Sequence, residues 1–119
     1  MDISAKLQVK LGQRVAIVAE IDDMPSTLTE GLETADTPEA ADAVVALVRD
    51  STELNTVAVK AIEVARHDKL AWIAYPKAGQ FGTDLNRDIL AKSLTGRSVQ
   101  PVRQIAIDEI WSALRFRPA

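Results

Sequence analysis

Apolar and polar positions along this chain form blocks whose period changes several times. Ile3, Leu7 and Leu11 lie four residues apart, with Lys6 and Lys10 between them, and predict one helical stripe. Gly12 follows as its C-terminal cap. Arg14–Ala19 is a short apolar run with β-branched residues, the pattern of a strand buried on both faces in a parallel sheet. Ala43–Val48 is a second such run. Asp50 or Ser51 then caps a helix that reaches about Arg66. Leu54, Val57, Ala58, Ala61, Val64 and Ala65 form its apolar face, with Glu53, Lys60, Glu63 and Arg66 opposite. Asp50 with Glu53 makes an acidic variant of the capping box. Leu70–Tyr75 is a third strand, stopped by Pro76.

Thr83 is the expected N-cap of a further helix, from Asp84 to about Leu94, closed by Gly96. Val99–Ile107 reads as a fourth strand, with Pro101 near its start or on an exposed side. In Ser112–Arg117, Leu114 and Phe116 point one way and Arg115 and Arg117 the other. That alternation predicts a half-exposed edge strand, paired as a hairpin with the fourth. Residues 20–41 are broken by Pro25, Gly31 and Pro38, and the only element expected there is a short helical turn near residues 27–32. Alternating β and α elements predict a single α/β domain over residues 1–119. Its expected form is three-layer and Rossmann-like: a mostly parallel sheet of about five strands, with helices on both faces, ending in an antiparallel C-terminal hairpin.

Composition narrows the chemistry. The 119 residues suit one domain, and 47% hydrophobic with 26% charged residues is a globular balance. Without cysteine there is no disulfide, no thiolate metal site and no cysteine nucleophile. The N-terminal stretch lacks the apolar core of a signal peptide, and no run approaches the roughly 20 apolar residues of a membrane span. The expectation is a cytoplasmic protein with no membrane partner. A net charge of −3 and a pI near 5.1 argue against nucleic acid as a partner. The charge is uneven. Glu20 to Asp42 holds eight acidic residues and no basic one, whereas Leu85 onward holds six basic and three acidic residues. This describes either a solvated acidic loop beside a mildly basic face, or two complementary surfaces that promote dimerisation.

The segments LAWIAYPK (70–77), TDLNRDIL (83–90) and PVRQIAIDEIWSALRFRP (101–118) resemble a bacterial family catalogued only as a domain of unknown function. KLG before the first strand and Asp42 before the second fit the same pattern. The resemblance covers most of the chain and implies no established activity. Relatives often carry a second lysine and a serine where this chain has Lys77-Ala78-Gly79, so a double-lysine anion site is not implied here. The segment from Asp42 onward also resembles the latter half of class I methyltransferases, including an antiparallel last strand. Those enzymes hold their cofactor on a glycine-rich turn after the first strand. Here Glu20-Ile-Asp-Asp-Met24 stands there, so no adenosylmethionine binding, and no other cofactor, is expected.

In a parallel sheet, ligands sit beyond the carboxyl ends of the strands. That rule gathers Glu20-Asp22-Asp23, Arg49-Asp50, Tyr75-Pro76-Lys77 and Asp108-Glu109 on one rim, either as a polar site or as solvated strand ends. The candidate ligand-binding residues are Tyr75, Lys77, Thr83, Asp84, Asp108 and Trp111. Lys77 leads them, because it leaves a buried strand and precedes a loop with Gly79 and Gly82. Tyr75 and Trp111 are paired as possible walls of one pocket. Asp84 is expected to pair with Arg87, and Asp88 with Lys92. His67 is the only histidine and is expected at a helix C-terminus; no metal site and no catalytic set is assigned. No nucleophile elbow, P-loop or dinucleotide fingerprint is present. Two functions follow as expectations. One is a non-catalytic protein-interaction or regulatory module, with a second copy of the chain among its candidate partners. The other is a small-molecule or anion-binding domain, potentially an enzyme, using the rim near Lys77.

Overall fold

The computed structural model describes residues 7–9, 12–19, 33–35, 37, 40–66, 69–77 and 83–118. Six strands form one sheet: β1 (Arg14–Ala19), β2 (Glu33–Thr34), β3 (Ala43–Leu47), β4 (Leu70–Pro76), β5 (Val99–Ala106) and β6 (Trp111–Pro118). Their order across the sheet is β2-β1-β3-β4-β6-β5. Neighbours from β2 to β4 are parallel, and β6 is antiparallel to both β4 and β5. Five strands therefore share one direction and β6 alone opposes them.

Burial follows from the residue pattern. All five positions of β3 are buried, and so are six of the seven in β4. These runs have no polar alternation because both faces are covered. Asp42 secures the start of β3. Its carboxylate accepts the Arg14 backbone N–H at 3.0 Å, and its own N–H donates to the Arg14 carbonyl at 2.9 Å.

Three helices are described: α1 (Ser51–Leu54), α2 (Val59–Arg66) and α3 (Arg87–Thr95). Leu54, Ala61, Ile62, Ala65, Leu90 and Leu94 from them enter one core with Val44, Ile73, Leu114 and Phe116 of the sheet. All three described helices lie on that face. The opposite face carries a second core of Leu7, Val15, Val45, Leu47, Trp72, Ile107 and Trp111. There the Trp72 indole N–H donates to the Leu7 carbonyl at 3.0 Å, fully buried.

Several expectations change. The last strand is interior. β6 lies between β4 and β5, and Trp111–Leu114 and Phe116 are buried. Of its two arginines Arg117 is exposed and Arg115 is only partly so. Arg115 stands opposite Trp72 and sends its guanidinium out to Gln8 Oε1 at 2.5 Å, so a charged tip escapes from a buried stem. The edge strand on this side of the sheet is β5. Its register shifts between Pro101 and Arg103, so the proline sits on an edge strand at a bulge, as proline requires. The Ile107 N–H bonds to the Trp111 carbonyl. Alternation from that bond turns the backbone of Ile105 toward β6 and that of Gln104 outward.

The helix expected from Ser51 to Arg66 breaks at residues 55–58. The Asn55 side chain donates to the Ser51 carbonyl, and the Thr56 hydroxyl to the carbonyls of Thr52 and Glu53. These local bonds satisfy the end of α1 and compete with helix continuation. The next helix starts later than expected, with Asn86 as N-cap: its side chain accepts the Ile89 N–H at 2.8 Å. Thr83 is occupied by the Leu85 N–H instead. Gly96 is right-handed at φ −72°, and the left-handed reversal into β5 falls on Ser98 at φ 67°. Gly12 takes a positive φ, 87°, within a turn, and no described helix precedes it for it to cap. The N-terminal stripe does not continue as helix through Gln8, which is left-handed at φ 63° within a turn. Glu33–Thr34 form a short strand inside the stretch read as loop. The helical turn expected at residues 27–32 lies outside the described residues.

An interior β6 separates two substitutions. Leu114→Ala is expected to cost about 2–5 kcal/mol, as for other buried leucines. Val102→Ala, at a position 47% exposed on the edge strand, is expected to change stability by less than about 0.5 kcal/mol. Urea unfolding of the two variants checks both.

Candidate functional site

Among the described residues, three groups of bonds lie at the rim formed by the carboxyl ends of the parallel strands. The first follows β3. The Arg49 backbone N–H donates to Glu53 Oε1 at 2.8 Å. Its guanidinium meets the same carboxylate through Nε (3.2 Å to Oε1, 2.9 Å to Oε2) and Nη2 (2.5 Å to Oε2). Glu53 is buried, whereas about half of the Arg49 side chain is exposed. The capping role falls to Asp50, which accepts the Glu53 N–H at 3.0 Å. Glu53 thus reaches past Asp50 to Arg49, one residue further than a capping box predicts. The bonds from Arg49 hold the Glu53 carboxyl below its ordinary value, against the opposing effect of burial.

The second group joins the start of α1 to residues 83–84. Asp84 accepts the Ser51 backbone N–H at 2.9 Å and the Ser51 hydroxyl at 2.5 Å. These bonds lower the Asp84 pKa. Asp84 therefore binds Ser51, not Arg87 as expected; Arg87 instead lies 3.8 Å from Asp88, with both side chains exposed.

The third group surrounds Lys77. Its backbone N–H donates to the Ile110 carbonyl at 2.7 Å, and its ammonium to the Asp108 carbonyl at 2.8 Å. Asp108 Oδ1 in turn accepts the N–H groups of Ile110 (2.8 Å) and Trp111 (2.7 Å). This is an Asx-type turn closing the β5–β6 hairpin, with Lys77 fastened across it.

Lys77, Asp108 and Trp111 are thus brought together, and Thr83 and Asp84 sit at the neighbouring junction with α1. Tyr75 and Trp111 share no pocket. Tyr75 belongs to the helix-covered core and Trp111 to the core on the opposite face, so the sheet separates them. The Tyr75 hydroxyl accepts from Gln104 Nε2 at 3.1 Å. Burial raises the phenol above its ordinary value of 10, with Arg87 opposing. His67, Gly79, Gly82 and Glu20-Asp22-Asp23 lie outside the described residues. Among the described residues, no three His, Cys, Asp or Glu side chains are grouped to hold a metal ion.

One feature was invisible in the sequence. A groove of about 310 Å³ lies on the helical side, lined by Val59, Ile62, Glu63, Arg66 and Arg97. Arg66 donates from Nε (3.2 Å) and Nη2 (2.9 Å) to the Arg97 carbonyl, and Arg97 Nη2 bonds to Asn55 Oδ1. The two arginines are 31 positions apart, and no local pattern joins them. No family model matches this chain, and no curated protein matches it.

The Arg49–Glu53 pair has a pH signature. Glu53 ionises more readily in the fold than in the unfolded chain, where its pKa is near 4.5. Its contribution is therefore complete above that value and disappears as pH falls through the lower folded value. Glu53→Gln is expected to cost about 1.5–3 kcal/mol at pH 7, the range for hydrogen bonds to a charged group. The difference from wild type should shrink toward pH 3. Denaturant melts at both pH values check this.

Proposed function

We propose that this chain is a non-catalytic protein-interaction or regulatory module. One observation carries the reading: among the described residues of the strand-end rim, Lys77, Asp84, Glu53 and Asp108 are each bonded within the protein. Lys77 is spent on the hairpin carbonyl of Asp108, Asp84 on Ser51, Glu53 on Arg49, and the Asp108 carboxylate on two backbone N–H groups. A ligand at this rim would have to displace bonds that hold the fold together.

The fold reading within the proposal is a three-layer, Rossmann-like domain similar to class I methyltransferases but without their cofactor turn. Five strands of one direction with a single opposed C-terminal strand support it. Membership of the uncharacterised bacterial family belongs to the same proposal, supported by the segments at 70–77, 83–90 and 101–118. A cytoplasmic location does too; no described helix is long and apolar enough to cross a membrane.

Lys77→Ala separates this reading from a small-molecule site near Lys77. The variant is expected to lose about 1 kcal/mol of stability, the net value of one hydrogen bond. Nucleotides, inorganic phosphate and dicarboxylates are expected to leave the wild-type melting temperature unchanged. A compound that raises it by several degrees in wild type, and not in Lys77→Ala, would overturn the reading.

A further inference from the structure

We propose that the groove between α2 and the α3–β5 turn docks the acidic stretch Glu20–Asp42 of a second copy of this chain. The inference rests on the interaction reading above and names the partner. Its basis is the pair of arginines. The Arg66 bonds run to the Arg97 carbonyl and the Arg97 side-chain bond to the Asn55 amide oxygen, both neutral acceptors. Among the described residues, neither guanidinium meets a carboxylate. Each is held in place by one edge, which leaves donors of a planar fork for an incoming carboxylate. Fixing the side chains beforehand lowers the entropy cost of binding.

The remaining lining suits a mixed acidic and apolar segment. Val59 is 48% exposed, a large apolar surface beside the two charges. Glu63 shares the wall and is engaged in an interaction of its own. Counting the two arginines against it, the lining carries one net positive charge. The Glu20–Asp42 stretch has eight acidic and no basic residues; Glu33 lies in β2 and Asp42 is bonded to Arg14, which leaves six acidic residues for the contact, with Met24, Leu28 and Leu32 as apolar anchors. A strand-addition contact along β5 is less suited. Pro101 removes a donor, the bulge bends the edge and Arg103 adds charge, three devices that discourage edge pairing. Each copy has one groove and one acidic stretch, so the contact closes as a reciprocal dimer or repeats head to tail.

Sedimentation equilibrium of the full chain from about 10 μM to about 1 mM tests this, in the affinity range of small interfaces. At low salt the average mass is expected to rise above 12.9 kDa with concentration. Near 1 M salt, where the screening length is about 3 Å, the rise should disappear. Arg66→Gln with Arg97→Gln keeps hydrogen-bond donors but removes the charge, and is expected to weaken association at least tenfold. Arg97→Lys, which retains the charge, should keep most of it, and circular dichroism melts establish that each variant folds. A synthetic peptide of residues 20–42 should compete in wild type and have no effect on the double variant. A chain that stays monomeric at low salt and fails to bind the peptide overturns self-docking, while the interaction reading stands on the Lys77 experiment. Association that survives the double substitution also overturns the groove, though it would favour the broader reading.

Discussion

The insertion of β6 between β4 and β5 is the constraint on which the rest of this structure depends. A strand running against its neighbours must begin where they end. Trp111 therefore lies opposite Pro76, at the carboxyl end of β4. The turn that feeds β6 is thereby placed on the rim where parallel α/β folds hold ligands. Because β6 is bonded on both sides and buried on both faces, the turn cannot move away without disturbing the centre of the sheet.

The rim chemistry follows from that placement. Asp108 orders the turn through two backbone N–H groups, and Lys77 fastens it to the end of β4. Lys77 and Asp108 carry opposite charges. Their geometry makes them parts of one hairpin closure, with the lysine on the aspartate's carbonyl and not on its carboxylate. The same economy operates at the start of α1. Asp84 takes the N–H and hydroxyl of Ser51 and so places a negative charge where a bound anion would otherwise sit. The described polar groups at this rim hold the fold together, and Arg66 and Arg97 lie elsewhere, between α2 and the α3–β5 turn.

Much of the fold was legible in the sequence because burial on both faces leaves continuous apolar runs. Val44 to Leu47 and Ala71 to Tyr75 carry no competing signal, and Asp50 announces the start of α1 by its capping chemistry. What was not legible depends on partners distant in the chain. Arg115 reads as exposed until Gln8, 107 positions away, receives its guanidinium. Thr83 reads as a cap until Asn86, three residues on, supplies a better placed acceptor. The break after Leu54 lay in the side chains of Asn55 and Thr56, whose preference for local carbonyls was outweighed in the reading by the apolar period around them. For the candidate site, the rim rule placed Lys77 and Asp108 on one rim among other charged residues, without showing that they meet or which oxygen the lysine would use. The Arg66–Arg97 groove left no local pattern at all.

Native-state amide hydrogen exchange tests the central claim most directly, because it reads the protection of β6 residue by residue. The account expects the amides of Ala113, Leu114 and Phe116 to exchange among the slowest in the chain, and the outward amide of Gln104 on β5 to exchange far faster. The Lys77 amide, bonded to the Ile110 carbonyl, should share the protection of β6. Exchange of the β6 amides as fast as that of Gln104 would contradict the account, since it would place β6 at the edge and leave the rim open.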